Sequence, residues 1–101
     1  MQIVNNKTNY QFETIVDGEK AELQYRIRDN TVYYMHTWVP ESIEGRGIAS
    51  ALAKFGLEYA KGNRYQIVVY CPFVVAYVKK HPEYLELLNT NYQTKEKLLG
   101  S

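Results

Sequence analysis

The hydrophobic period of this chain changes at Pro40, and that change decides its fold class. Before it, Ala21, Leu23, Tyr25 and Ile27 alternate with Glu22, Gln24, Arg26 and Arg28. A period of two puts one set on each face of a half-buried strand. Residues 10–16, YQFETIV, alternate less regularly and stop at the turn pair Asp17-Gly18. Asp29-Asn30 makes the next turn, and TVYYMHTWV, residues 31–39, is rich in strand formers. Three strands joined by two tight turns give an antiparallel meander.

Beyond Pro40 the period is helical. Ile48, Leu52, Phe55 and Tyr59 recur at helix spacing among alanines at 49, 51, 53 and 60, and Gly62-Asn63 ends the run. YQIVVY, residues 65–70, is a continuous apolar stretch, as expected of a strand buried on both faces. Pro72 suits the first position of a second helix and places Cys71 at its N-cap. Phe73, Ala76, Tyr77 and Lys80 run along one side of that helix, and His81-Pro82 stops it. His81 suits a helix C-terminus, so capping is its first reading. Residues 83–88 add a further helical turn, and 89–101 read as a polar tail outside a core of residues 10–88. The order β-β-β-α-β-α predicts an α+β fold with helices packed on a sheet.

A chain of 101 residues makes one domain, 1–101, with a core of useful size. Twelve basic against eleven acidic residues exclude a bulk nucleic-acid or membrane binder. The start, MQIVNNKTNY, lacks the apolar run of a signal peptide, and no segment approaches the length of a membrane span. One cysteine excludes an intrachain disulfide, and with only two distant histidines no metal site is expected. These features predict a cytoplasmic domain.

Residues 45–52, GRGIASAL, set two glycines at the mouth of a helix. Glycine costs about 1 kcal/mol inside a helix, so bare backbone at this point asks for another reason. A helix N-terminus preceded by a glycine loop is an anion site. A Walker A loop requires Lys-Ser/Thr where Ile48-Ala49 stand. A dinucleotide fingerprint requires a third glycine at Ser50 and an acid after the next strand, which ends at Tyr70-Cys71. A pyrophosphate held by backbone amides alone is the remaining reading.

Here the chain resembles the GNAT superfamily of acetyl-CoA-dependent N-acetyltransferases. Their motif Arg/Gln-x-x-Gly-x-Gly/Ala corresponds to Glu44-Gly45-Arg46-Gly47-Ile48-Ala49, with Glu44 departing from the pattern. HTWVPESIEGRGIASAL followed by CPFVVAYVKKHPEY is similar to the short, single-domain YjdJ-type branch, over roughly residues 10–85. The resemblance implies a minimal GNAT-like fold that binds acetyl-CoA as co-substrate, with the pyrophosphate on the amides of Gly45, Arg46, Gly47, Ile48, Ala49 and Ser50. It also implies a pantetheine arm beside Trp38 and Val39, leading toward the second helix, and an amine acceptor. Arg46, Lys79 and Lys80 are the cations available to a CoA phosphate, or are plain surface charge.

Three residues carry the chemistry that this resemblance asks for. The positive end of a helix dipole favours a thiolate, so Cys71 could accept the acetyl group and pass it on; a small buried strand-end residue is the plain alternative. Tyr77 corresponds to a tyrosine that such enzymes use to protonate the departing CoA thiolate, and a core tyrosine is the alternative. The glutamate that often follows His-Thr in the short branch is replaced by Trp38, which leaves His36, read as sharing a face with Tyr34 and Trp38, as candidate base or as a structural histidine. Two other classes stay open: a catalytically idle CoA-binding or interaction module, and a stacking surface of Tyr25, Tyr33, Tyr34 and Trp38, against which the near-neutral charge argues. The oligomeric state, monomer or homodimer, is not written in the residues.

Overall fold

The computed structural model describes residues 1–99, and the meander, helix, strand and helix appear in the expected order with one strand added in front. The strands are β1 (Val4–Asn6), β2 (Gln11–Val16), β3 (Glu19–Arg28), β4 (Thr31–Trp38) and β5 (Gln66–Val69). They form one sheet in chain order, antiparallel except for the parallel pair β4 and β5. The helices are α1 (Ile48–Gly62), α2 (Pro72–Lys80) and a short α3 (Lys95–Leu99), with 3-10 turns at Glu41–Ile43 and Pro82–Leu87. Asp17, Gly18, Asp29 and Asn30 all have positive φ, the backbone of primed two-residue turns. Such turns match the twist of the strands they join, which is why these short polar pairs close hairpins.

α1 crosses the face built by Phe12, Leu23, Tyr25 and Tyr34, all fully buried. Ile48, Leu52, Leu57 and Ala60 bury its other contacts, each large side chain contributing roughly 1.5–3 kcal/mol. Phe12 stacks on Tyr25 with centroids 4.5 Å apart, and Tyr25 donates a hydrogen bond to Asn5 Oδ1 at 2.6 Å, tying β1 to the core. The Tyr34 hydroxyl donates to the Gly56 carbonyl at 2.7 Å. Burial pushes the Tyr34 phenol well above its ordinary pKa, so it remains a donor. Ile67, Val68 and Val69 are all buried, as expected for a strand covered on both faces.

The β3–β4 ladder carries one irregularity. Gln24 pairs with His36, but Tyr25 pairs with Tyr34, leaving Met35 as an extra residue. This β-bulge reverses which face the side chains beyond it take. Thr37 joins the side of Leu23 and Tyr34, while His36 and Trp38 stand opposite Gln24 and Glu22 on the face that α1 leaves uncovered. His36 therefore shares a face with Trp38 but not with Tyr34. Nor do Tyr25, Tyr33, Tyr34 and Trp38 form one stacking surface, because Tyr25 and Tyr34 are sealed beneath α1.

The segment from Asn89 is not a loose tail. Asn89 donates its N–H to the Ile67 carbonyl at 2.9 Å and its side-chain amide to Thr31 Oγ1 at 3.1 Å. The Gln93 side chain accepts from the Val69 N–H and donates to the Val69 carbonyl, both at 2.7 Å, as a neighbouring strand would. Leu98 is buried beyond it. The free edge of β5 is thus occupied by polar side chains, a contact that hydrophobic patterning does not register. Gly100 and Ser101 lie outside the described residues.

Candidate active site

The β4–β5 ladder ends at Tyr34 and Val69. Past it, the N–H groups of Tyr70 and Cys71 both donate to the Tyr34 carbonyl, at 3.0 and 3.1 Å, and the chain turns into α2. β4 runs on to Trp38, so the two strands part and the last residues of β4 face a cleft of about 470 Å³. Thr37, Trp38 and Val39 form one wall. Ile43, Glu44, Gly45 and Gly47 form the second, the first turn of α1 (Ile48, Ala49, Ser50) the third, and Phe73 of α2 closes it.

The two glycines are there for their backbone. Gly45 and Gly47 have φ of +79° and +74°, and a Cβ on either would meet nothing within 4 Å. The requirement is a left-handed backbone, not space against neighbouring protein. Gly47 is the N-cap of α1, whose first helical bond runs from the Ala51 N–H to the Gly47 carbonyl at 3.0 Å. The N–H groups of Ile48, Ala49 and Ser50 have no acceptor within the helix, and their residues line the cleft. With the positive helix end, they give the cleft donors and a field that favour negative charge.

Seven of the eight residues expected to hold the cofactor line this cleft: Trp38, Val39, Gly45, Gly47, Ile48, Ala49 and Ser50. Arg46 does not. Its guanidinium pairs with Asp17 Oδ2 at 2.5 Å, which pins the glycine loop to the β2–β3 turn. Cys71 is 3 % exposed and does not line the cleft; its Sγ is 3.1 Å from the Thr37 hydroxyl, which belongs to a lining residue. It occupies the N-cap of α2 without a side-chain capping bond. Tyr77 lines a smaller adjoining recess of about 70 Å³ together with Ser50, Phe73, Ala76 and Lys80. Its ring stacks on His81, centroids 4.1 Å apart, and partial burial, followed by the Glu83 and Glu58 carboxylates, raises its pKa and keeps the phenol protonated. The His81 N–H closes the end of α2 on the Tyr77 and Val78 carbonyls. His36 is exposed on the uncovered face and does not line the cleft.

Four further residues line the cleft, Glu44 beside the first glycine among them. Thr37 enters through the bulge, Ile43 through the 3-10 turn and Phe73 through the start of α2. Across the sheet, Glu22 stands directly opposite Trp38. Only the pairing register of the hairpin could have revealed that carboxylate. Among the described residues no three His, Cys, Asp or Glu gather to hold a metal ion, and no helix is long and apolar enough to cross a membrane.

Residues 11–87 match the family model of the GCN5-related N-acetyl-transferases. Protein NATD1 of Danio rerio is 33 % identical, covering 85 % of this chain and 83 % of its own length. Protein NATD1 of Homo sapiens is 31 % identical over 87 % of this chain and 82 % of its own. A solution structure of a GCN5-like protein from Staphylococcus aureus superposes with a TM-score of 0.66 at 26 % identity, covering 92 % of this chain and 88 % of that one.

Proposed function

Because this chain belongs to the GCN5-related N-acetyltransferase family, we propose that its cleft binds acetyl-CoA and that it transfers the acetyl group to an amine. One observation carries the reading. The end of β4 that β5 leaves behind and the amide-bearing start of α1 open into the same cleft. An extended pantetheine arm can add to such a strand edge by backbone hydrogen bonds, as peptides do at open sheet edges. The pyrophosphate then meets the amides of Ile48, Ala49 and Ser50. Glu44 opposes an anion, but it is exposed and its charge is screened by solvent.

In this arrangement the thioester reaches Thr37 and Phe73, where the strands part. An acceptor arriving over the uncovered face meets His36 and, opposite Trp38, Glu22. Either can take the proton that an ammonium must lose before its nitrogen attacks the acetyl carbon. The Thr37–Cys71 contact supports a second route. Rotation of Thr37 opens Sγ to the thioester; the Cys71 sulfur then attacks the carbonyl, its proton passes to the departing CoA sulfur, and the amine takes the acetyl group from Sγ, which regains a proton from the amine.

The test is CoA thiol release from acetyl-CoA in the presence of a lysine peptide, a free peptide N-terminus and a small diamine, each followed by intact mass. Amine-dependent release with an acetylated amine is the expected result. An acetyl adduct on the protein that disappears in Cys71→Ala adds the relay. Binding of acetyl-CoA with no acetylated amine from any of the three overturns the enzyme reading and leaves an idle cofactor module.

A further inference from the structure

CoA carries a third phosphate, on its nucleotide ribose, and the structure distinguishes among the cations that could meet it. Arg46 is committed to Asp17 and stands outside the cleft wall. Lys79 lines neither hollow. Lys80 lines the recess of about 70 Å³ that continues the cleft, since Ser50 and Phe73 belong to both. Among the described residues Lys80 forms no ion pair. As the last residue of α2 it sits where helix carbonyls favour a positive charge. The Ser50 hydroxyl is a further donor at the same hollow. The recess is small, suited to a group of a few heavy atoms rather than to a purine, and it opens from the amides that receive the pyrophosphate.

We infer that the recess beside Lys80 takes the ribose 3′-phosphate of CoA, and that Lys80 is the residue by which this protein distinguishes CoA from 3′-dephospho-CoA. This specificity determinant rests on the cleft being a CoA site. The chemistry is a charge-assisted contact between an ammonium and a phosphate dianion, lost entirely when the ligand ends in a hydroxyl. Arg46 contributes little to this choice because its charge is already paired.

Calorimetric titration of the full chain with CoA and with 3′-dephospho-CoA tests it, using wild type, Lys80→Ala, Lys80→Gln and Lys79→Ala. CoA is expected to bind wild type about tenfold more tightly than the dephospho form, the scale of one charge-assisted hydrogen bond at an open site. Both Lys80 variants should reduce CoA to the dephospho level while leaving dephospho-CoA unchanged, and Lys79→Ala should keep the preference. A preference that survives in Lys80→Ala and Lys80→Gln, or that disappears equally in Lys79→Ala, overturns the role of Lys80 alone. Failure of both ligands to bind wild type overturns the cofactor reading, and the role of Lys80 with it.

Discussion

Gly56 lies in the middle of α1, where alanine would ordinarily be the better helix former by about 1 kcal/mol. The packing forbids it. A Cβ built there meets Phe12 Cε2 at 3.0 Å, with Phe12 Cδ2 and Leu23 Cδ2 both at 3.2 Å. The ring would have to retreat by a few tenths of an ångström, and it has nowhere to go. Phe12 stacks on Tyr25, meets Phe55 and Tyr59 edge-on at 5.6 and 5.5 Å, and is fully buried. Overpacking of this kind costs about 1–3 kcal/mol, so after the propensity gain Gly56→Ala should destabilise by about 0–2 kcal/mol. The pinned ring places the value in the upper half of that range, a fall in Tm of roughly 4–8 °C per kcal/mol for a domain of this size. Gly62, the last residue of the same helix, has nothing within 4 Å of its Cβ position. Gly62→Ala should therefore raise Tm slightly, by about 0.4–1 kcal/mol of stability. Thermal unfolding of the two variants followed by circular dichroism measures both. If Gly56→Ala stabilises as much as Gly62→Ala, the close packing of α1 on Phe12 is wrong.

Three further perturbations read other parts of the structure. Gln93→Ala removes both hydrogen bonds to Val69 and should cost about 1–3 kcal/mol in urea unfolding; no loss would mean that the edge of β5 does not depend on this side chain. Arg46→Ala breaks the pair with Asp17 without touching the positive-φ turn, and both side chains are about half-exposed, so stability should change by less than about 1 kcal/mol; a larger loss would show the glycine loop to be held mainly by that contact. Tyr25, Tyr34, Tyr59, Tyr77 and Tyr84 all hold their protons above the ordinary 10.0, chiefly because burial penalises the phenolate. Folded values raised above unfolded ones contribute stability that is complete below pH 10 and is lost as pH rises through the folded values. Tm should be insensitive to these groups at neutrality and fall above pH 10, with phenolate absorption rising together with unfolding; full tyrosine ionisation of a still-folded chain would contradict the burial.

The meander and the bounds of α1 were legible because their signals are local. Asp17-Gly18 and Asp29-Asn30 can take the positive φ that tight hairpins require, and the alanine-rich run from Ile48 has one period throughout. Gly45, Gly47, Ile48, Ala49 and Ser50 were legible as cleft-lining for a related reason, since glycines at a helix mouth have a backbone meaning that needs no tertiary context; Trp38 and Val39 followed only from the family resemblance. What failed depended on pairing. Met35 looks like any strand residue, and only its lack of a partner on β3 moves Thr37 to the face of Leu23 and Tyr34 and His36 away from Tyr34. Gln93 reads as tail composition until its amide is seen taking both backbone groups of Val69. Arg46 lies between two cleft glycines in sequence, yet its partner sits 29 positions away in the β2–β3 turn.

In the proposed CoA site the left-handed glycines aim the first amides of α1 at the pyrophosphate. Calorimetric titration of CoA into wild type, Gly47→Ala and Gly47→Glu tests it most directly. Gly47→Ala changes only the backbone preference, at a strain of about 1–2 kcal/mol, while Gly47→Glu adds a carboxylate beside the amides of Ile48 to Ser50. Saturable binding to wild type, weakened in the alanine variant and absent in a folded glutamate variant, is the predicted result. Binding that Gly47→Glu leaves unchanged would show that the cofactor does not rest on these amides, and the functional assignment of the cleft would fall.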